Sequence, residues 1–263
     1  MIDYRNVSVF IQKQSILRNL SFHIPAGQFV GLIGPNGSGK STLLRTMSGW
    51  IPRTEGRISL AGKALERYKR RDIARLISFV PQDTSVDFDF TVRDIVMMGR
   101  HPYMSRFKEA TREDSLAAER AMYITEIAHL ADRTATSLSG GQRQMAFIAK
   151  ALAQTPQLLL LDEPISALDI RHQLQTLELV QQLTYDGLTA VAALHDLNLA
   201  ARYCDQLILL HQGQILSIGT PEEVLTPTSI QKAYEVHIEL RQDPWLGSLS
   251  ITAIGIEEPS LKG

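Results

Sequence analysis

Short apolar runs that end at glycine or polar residues recur along the chain and predict buried strands. The clearest runs occupy residues 29–33, 158–161 and 189–194. Continuous apolar runs of this kind are typical of strands that are buried on both faces of a parallel sheet. Two further runs, 207–210 and 215–218, flank Gln212 and Gly213 and therefore predict a hairpin.

Between residues 83 and 156 the apolar positions follow helical spacing instead. Thr91 precedes a helix predicted through residues 92–98, and Ser139 opens another that continues to Leu152. Between them, a helix over 116–131 is marked by Leu116, Tyr123, Ile124, Ile127, Ala128 and Ala131. The pattern predicts an α/β chain in which residues 1–82 and 157–225 form a parallel-sheet core with an antiparallel β flap near the N-terminus. Residues 83–156 are then an inserted helical subdomain.

The remaining residues, 226–263, form a predicted C-terminal extension. A short helix over 228–234 and a strand over 236–240 fit its pattern, whereas residues 243–247 carry no motif with recognisable chemistry. We interpret the extension as a packing element. A regulatory role is the alternative.

Composition narrows the class of protein. A chain of 263 residues with a net charge of −1 can bury a large core but lacks the basic footprint of a nucleic-acid-binding protein. Its apolar runs are far shorter than the roughly 20 residues that span a bilayer, and its first residues do not follow the pattern of a signal peptide. Cys204 is the only cysteine, so no internal disulfide is possible, and a small buried residue is the expected role.

Residues 34–41 match the pattern G-x-x-x-x-G-K-[ST] and directly follow the strand predicted over residues 29–33. Its glycines let backbone N–H groups face phosphate oxygens, and the helix start beyond them adds a positive dipole end. Lys40 is expected on the β- and γ-phosphates and the Ser41 hydroxyl on Mg²⁺. The predicted nucleotide-binding residues here are Gly34, Asn36, Gly37, Ser38, Gly39, Lys40, Ser41 and Thr42. A glycine-rich turn with a solvated lysine is the structural alternative.

Two carboxylates follow the strand predicted over residues 158–161. Asp162 and Glu163 follow four leucines, at the edge where open α/β sheets bind ligands. Asp162 is expected to hold Mg²⁺, directly or through water, and Glu163 to polarise the attacking water. Capping of the following turn is the structural alternative for either residue.

Leu138-Ser139-Gly140-Gly141-Gln142 matches the signature motif of ATP-binding cassette (ABC) ATPases. Three more motifs of that family occur in order: Gln82 matches the Q-loop, Ser166-Ala167-Leu168-Asp169 the D-loop, and His195 the switch histidine. The chain therefore resembles the nucleotide-binding subunit of an ABC transporter. The resemblance covers the chain to about residue 225 and implies a P-loop NTPase fold with a RecA-like core.

The resemblance also implies a mechanism that uses ATP and Mg²⁺. The implied catalytic residues are Glu163, His195, Gln82 and Lys40. Gln82 is expected close to Mg²⁺ or the attacking water, and His195 is expected on the γ-phosphate. The signature residues Ser139, Gly140, Gly141 and Gln142 are expected at the nucleotide held by a second subunit, in a head-to-tail homodimer. Asp169 of the D-loop is a further expected nucleotide-binding residue. Helix capping alone is the structural alternative for the signature serine and glycines.

The position that would bind the adenine base matches the family pattern poorly. Family members often stack adenine on an aromatic residue shortly before the phosphate-loop strand, and the simplest alignment places Ile11 there with Phe10 beside it. Phe10 is the candidate platform. An ordinary hairpin residue is the alternative.

Partners and cargo are also implied by resemblance. Residues 96–103 and 192–201 resemble ATPases of importers for iron-siderophore, haem and cobalamin. Such subunits work with two transmembrane permease subunits and, indirectly, an extracytoplasmic substrate-binding protein, peripherally on the cytoplasmic face of the membrane. Residues 100–107 are expected to help receive a coupling helix from the permease. The alternatives are an ATPase for another metal or solute, or a non-transport ABC ATPase acting on nucleic acid or ribosomes, which the near-neutral charge disfavours.

Overall fold

The molecule is organised around parallel strands. The computed structural model describes residues 1–85, 89–104 and 109–256. The strands are Ile2–Ile11 (β1), Gln14–Ile24 (β2), Phe29–Ile33 (β3), Glu55–Leu60 (β4), Lys63–Ala64 (β5), Ile77–Val80 (β6), Leu158–Asp162 (β7), Thr189–Ala193 (β8), Gln206–His211 (β9), Gln214–Gly219 (β10), Val236–Gln242 (β11) and Leu249–Ile256 (β12). The helices are Lys40–Met47 (α1), Arg70–Leu76 (α2), Val92–Met98 (α3), Arg112–Ile124 (α4), Gly140–Ala153 (α5), Ile170–Tyr185 (α6), Leu197–Tyr203 (α7), Pro221–Val224 (α8) and Pro227–Tyr234 (α9). In the part of the chain that the structure describes, no helix is both long enough and apolar enough to span a membrane.

The main sheet has the strand order β10-β9-β3-β8-β7-β6. All its neighbouring strands are parallel except β9 and β10, which form the predicted hairpin. Every residue of β3, β7 and β8 is buried, as their continuous apolar sequence predicts. Because parallel strands end at the same edge, the residues that follow β3, β6, β7 and β8 meet there.

The predicted antiparallel flap is a second sheet, with the order β2-β1-β4-β5. Helix α1 packs between the two sheets, since Leu43, Leu44 and Met47 are fully buried in one apolar cluster with residues of β1, β2, β3 and β8. The flap therefore holds the helix that follows the phosphate loop against the main sheet.

A second apolar cluster joins the other face of the sheet to the remaining helices. Helices α6 and α7 contact β3, α5 contacts β6, and α3 and α4 pack against α5. Thr91 caps α3 as predicted, and Thr111 caps α4 in the same way, each in a capping box with an aspartate three residues later.

The prediction for the middle helix was partly wrong. Helix α4 ends at Ile124, and residues 128–130 form a separate 3₁₀ turn after Glu126, whose φ is 59°. Its buried stripe runs through Asp114, Ala118, Ala121 and Met122, whereas Leu116 and Tyr123 are 53% and 79% exposed. Small residues fit against the neighbouring helices here, so the larger apolar residues that suggested the face point outward.

The C-terminal extension contains the predicted helix, α9, and the predicted strand, β11, which pairs with β12. The β11–β12 hairpin lies on α7, where the Asn198 amide donates to the Ile251 carbonyl at 3.2 Å and accepts from the Ile251 N–H at 2.7 Å. Residues 257–263 of the extension lie outside the described residues. Cys204 is buried as predicted, and its burial raises the pKa of the thiol.

A buried ion pair holds the helical layer together. Arg100 Nε donates to Asp114 Oδ1 at 2.9 Å, and its Nη1 donates to the Ala153 carbonyl in the last turn of α5 at 2.8 Å. The other oxygen of Asp114 accepts from the N–H and the hydroxyl of Thr111 at the start of α4. Burial alone would raise the pKa of Asp114, but the Thr111 bonds and Arg100 lower it below its usual range.

We therefore expect Asp114→Ala to lower the free energy of unfolding by about 3–5 kcal/mol, because it leaves Arg100 buried and unpaired. Urea denaturation at pH 7 measures this change. Since the folded-state pKa of Asp114 is lowered, its contribution is present above the ordinary carboxyl pKa and is lost as the pH falls through the lowered value, below about pH 4.

The exposed pair of Arg93 and Asp132 supplies a matched control. Its side chains are 45% and 85% exposed and 3.3 Å apart. Asp132→Ala should cost less than about 1 kcal/mol. Equal costs for the two alanine variants would contradict a structural role for the Arg100–Asp114 pair.

Candidate nucleotide-binding site

The phosphate loop joins β3 to α1 at the carboxyl edge of the sheet. Gly34, Gly37 and Gly39 have φ values of 144°, 77° and 107°, in the region that favours glycine. A Cβ at Gly34 would overlap the Leu210 carbonyl, whereas a Cβ at Gly37 would meet nothing within 4 Å. The loop is thus fixed at its base by the sheet and open at its crest, where a phosphate can approach the backbone.

Lys40 lies inside this loop and is only 5% exposed. Its Nζ donates to the carbonyls of Gly34 at 2.7 Å and Pro35 at 3.2 Å. Burial lowers the pKa of Lys40, and the nearby carboxylates Glu163 and Asp162 partly offset that effect. An ammonium group has three N–H donors, so Lys40 can bind a phosphate oxygen while the loop still orients it.

Ser41 and Asp162 meet at the end of β7. The Ser41 hydroxyl donates to Asp162 Oδ1 at 2.8 Å, and Arg45 Nη2 lies 3.9 Å from Oδ2. Burial raises the pKa of Asp162, although the Ser41 bond and Arg45 act in the opposite direction. The pair presents hard oxygen ligands, which are the donors that Mg²⁺ prefers. These residues fit the ion that the sequence analysis expects.

Glu163 is held by two side chains from the neighbouring strands. Gln82, just beyond β6, donates from Nε2 to Glu163 Oε2 at 2.7 Å. His195, just beyond β8, donates from Nε2 to Glu163 Oε1 at 2.5 Å. Both carboxylate oxygens are therefore oriented, and Glu163 itself has a left-handed backbone with φ of 51°. The structure brings together the four residues that sequence analysis named as catalytic.

The signature residues form the start of α5. Ser139 caps this helix through a bond from the Gln142 N–H at 3.3 Å, and Gln142 Oε1 accepts from the Ser139 N–H at 3.1 Å. This capping box is the interaction that the structural alternative predicts. It leaves Gly140 exposed in the first turn, with space around the position that a Cβ would take. A narrow cleft of about 210 Å³ separates Gly140 from Gln82 and Glu163.

The D-loop is also hydrogen-bonded to Glu163. Ser166 Oγ donates to the Glu163 carbonyl at 3.1 Å, and Asp169 caps α6 by accepting from the His172 N–H at 2.9 Å. Asp169 remains 67% exposed. It lies on the surface, where another molecule can reach it.

Phe10 is 46% exposed near the end of β1, beside Ile11 at 39%. It pairs with Ser15 of β2, whose next residues approach the phosphate loop: a Cβ at Gly39 would lie 2.8 Å from Leu17 and 3.4 Å from the Ile16 carbonyl. The end of the β1–β2 hairpin is therefore near the loop. Phe10 has the position and exposure that its predicted role needs.

Sequence reasoning missed three neighbours of the site. Arg45 lies near Asp162, and Tyr234 of α9 lines a pocket of about 330 Å³ behind the phosphate loop with Pro35 and Ser38. Burial raises the pKa of Tyr234 to about 12. His172 contacts Asp169 through its ring Nδ1. Its position three residues after a helix-capping aspartate is the one sequence signal that could have drawn attention to it.

Family comparison supports the motif assignments. Residues 17–166, more than half of the chain, match the family described as ABC transporter. This range contains the phosphate loop, the signature motif and the acidic strand.

Three known relatives cover almost all of the chain. The cobalamin import ATP-binding protein BtuD of Halobacterium salinarum is 44% identical over 96% of this chain, which spans only 63% of that protein. The ferric enterobactin transport ATP-binding protein FepC of Escherichia coli is 41% identical over 94% of this chain and 92% of that protein. The hemin import ATP-binding protein HmuV of Gloeobacter violaceus is 38% identical over 97% of this chain and 94% of that protein.

Solved structures agree with the sequence relatives. A chain of an ABC transporter in an inward-facing conformation, assigned to the metal-chelate type, has a TM-score of 0.85 at 30% identity and covers 98% of both chains. A dimeric bacterial ABC transporter cassette has a TM-score of 0.72 at 28% identity over 84% of this chain and 99% of that one. The fold, the motif geometry and these likenesses together establish that this chain belongs to the ABC transporter family, as an ATP-binding cassette.

Proposed function

We propose that this chain is the ATP-hydrolysing subunit of an ABC importer that takes up an iron complex, either a siderophore or haem, or cobalamin. The observation that carries the proposal is the Glu163 carboxylate, oriented by Gln82 and His195 beside Lys40, Ser41 and Asp162. The names of BtuD, FepC and HmuV support the cargo class.

Hydrolysis needs the phosphates held while a water molecule attacks the last of them. The backbone of residues 34–42 and the Lys40 ammonium bind the phosphates in this proposal. Ser41, Asp162 and Gln82 are the oxygen ligands available to Mg²⁺, which when bound neutralises charge on the β- and γ-phosphates. Gln82 now donates to Glu163, so its amide must turn toward the ion or the water as the site closes.

Glu163 is the general base. A carboxylate at the end of β7 can accept a proton from a water aligned with the γ-phosphate, and the Gln82 and His195 bonds hold it in one orientation before that water arrives. His195 is 41% exposed, so its ring can leave the carboxylate and contact the γ-phosphate.

A second copy completes the site in this proposal. Gly140 and Asp169 are exposed at the starts of α5 and α6, where helix N-termini favour negative charge. A head-to-tail homodimer would set Gly140 of one subunit against the γ-phosphate of the other, with Asp169 beside it at the subunit interface. The likeness to a dimeric ABC cassette supports this assembly.

A permease docks where the core and the helical subdomain adjoin. Trp50 is 72% exposed and packs edge-on against Phe79 of β6, three residues before Gln82 in the sequence. Nearby, Arg71 and Arg75 of α2 donate to the Pro102 carbonyl, at 2.6 and 3.0 Å. These bonds tie the loop after α3 to the core, so a permease helix on this surface would touch both parts. Residues 105–107 of the expected docking loop lie outside the described residues.

The proposed organisation follows from this docking. Two permease subunits would hold the ATPase dimer peripherally on the cytoplasmic face of the membrane, with an extracytoplasmic substrate-binding protein acting through the permease. Residues 1–82 and 157–225 form the proposed core subdomain, 83–156 the helical subdomain and 226–263 the extension. No nucleic acid takes part.

Glu163→Gln should keep ATP binding while lowering the hydrolysis rate by about 10²–10⁴-fold, because the amide cannot accept the proton. ATP should also trap the variant as a dimer. Phosphate release and sedimentation with ATP and Mg²⁺ measure the two effects. Glu119→Gln, an exposed change on α4, is the control, and an unaltered hydrolysis rate in Glu163→Gln would remove Glu163 from the proposed role.

Phe10→Ala should raise the Kd for ATP about tenfold, since stacking of a base on an aromatic ring is worth about 1–3 kcal/mol. Ile11→Ala, one residue away and similarly exposed, should change the Kd less. Calorimetric titration of both variants decides between the platform and an ordinary hairpin residue, and a larger effect for Ile11→Ala would assign the base contact to the position that the alignment favours.

The tagged chain, purified from membranes, should co-elute with a membrane protein of many helices. Trp50→Ala should reduce that recovery by about tenfold, because a central aromatic residue can contribute 2 kcal/mol or more to an interface. Tyr185→Ala removes an equally exposed aromatic residue elsewhere and should leave recovery unchanged. Ribosomal or DNA-repair proteins as companions, without a membrane protein, would point to the non-transport class instead.

A further inference from the structure

The starts of α5 and α6 touch through one side chain. His172 lies in the first turn of α6, and a Cβ on Gly141 of α5 would overlap its ring at Cγ and Cδ2. Gly141 is buried, while the histidine side chain keeps 29% of its exposure. The ring therefore occupies the space that a side chain at position 141 would need.

The opposite edge of the same ring is fixed by a hydrogen bond. His172 Nδ1 donates to Asp169 Oδ1 at 2.8 Å, and that oxygen also accepts from the His172 N–H at 2.9 Å. The imidazole is thus set at one edge by the capping residue of α6 and at the other by the backbone of α5.

The two signature glycines stand in different surroundings. A Cβ at Gly140 would meet nothing within 4 Å, whereas one at Gly141 would meet His172. At Gly140, the space that a side chain would fill faces the surface, where a second molecule can approach. Gly141 is small because of a contact inside its own subunit.

We propose that His172 is a positioning residue that locks the D-loop of each subunit to its signature helix. The inference rests on the proposed head-to-tail dimer, because the signature glycines act there on the partner's nucleotide and Asp169 lies beside them at the subunit interface. Helix α5 belongs to the helical subdomain and α6 to the core. With His172 between them, Gly140 and Asp169 approach the partner as one rigid surface, so closure on ATP has fewer internal arrangements to select.

A thermal cycle tests the contact itself. Gly141→Ala should lower the Tm of the full chain by about 4 °C or more, because overpacking forces the ring or the helix to move. In a His172→Ala background the same change should lower the Tm by less than half as much. Gly140→Ala is the matched control and should shift the Tm by less than about 2 °C, since its methyl group enters open space. An equal effect of Gly141→Ala in both backgrounds would show that the ring does not set the requirement for glycine.

A binding experiment tests the positioning role. In the Glu163→Gln background, His172→Ala should weaken ATP-dependent dimerisation by about tenfold, equivalent to 1.4 kcal/mol, while each subunit binds ATP with unchanged affinity. Sedimentation and calorimetry measure the two quantities separately. A residue that merely fills space would lower the Tm without this separation.

The two ideas fail in different ways. If Glu163→Gln alone stays monomeric with ATP and Mg²⁺, the head-to-tail assembly is wrong, and the thermal cycle still reports on the contact. If Glu163→Gln dimerises and the His172→Ala variant dimerises equally tightly, the assembly stands and the role of His172 is overturned.

Discussion

The parallel arrangement of β3, β8, β7 and β6 is the constraint on which the site depends. Because neighbouring parallel strands end at one edge, residues that are far apart in the sequence arrive side by side without a loop having to carry them. The Ser41–Asp162 bond joins positions 121 residues apart, and the Gln82–Glu163 bond joins positions 81 apart. Side chains placed directly after buried strands inherit the rigidity of those strands.

That rigidity keeps two opposite charges in poorly hydrated surroundings. Burial lowers the pKa of Lys40 and raises that of Asp162, so each group is less well stabilised as an ion than it would be in water. In the proposed function, a phosphate beside the ammonium and a divalent cation beside the carboxylate would relieve these deficits. Contacts within the chain therefore already hold Lys40, Ser41 and Asp162 in place for the proposed nucleotide and metal, whereas Gln82 and the second subunit have still to move into position.

Motif geometry could be predicted from the sequence, whereas packing could not. Apolar runs located β3, β7 and β8 because burial on both faces leaves no other pattern, and glycine spacing located the phosphate loop. The prediction of which face of α4 is buried was wrong, because the close fit of Ala118 and Ala121 against neighbouring helices outweighs the size of Leu116 and Tyr123. The Arg100–Asp114 pair and the His172–Gly141 contact escaped prediction because both depend on how separate helices pack against one another.

Glu163 shows why a strained residue persists at this edge. A non-glycine residue in the left-handed region costs roughly 1–3 kcal/mol and is kept only where the surroundings hold it. Here the carboxylate accepts from Gln82 and His195, and the backbone carbonyl accepts from Ser166. One residue therefore connects the Q-loop, the switch histidine and the D-loop. If Gln82 or His195 turns toward a ligand, as the proposed mechanism requires, Glu163 loses part of the support for its conformation, and the D-loop that carries Asp169 would then have to move together with the signature helix.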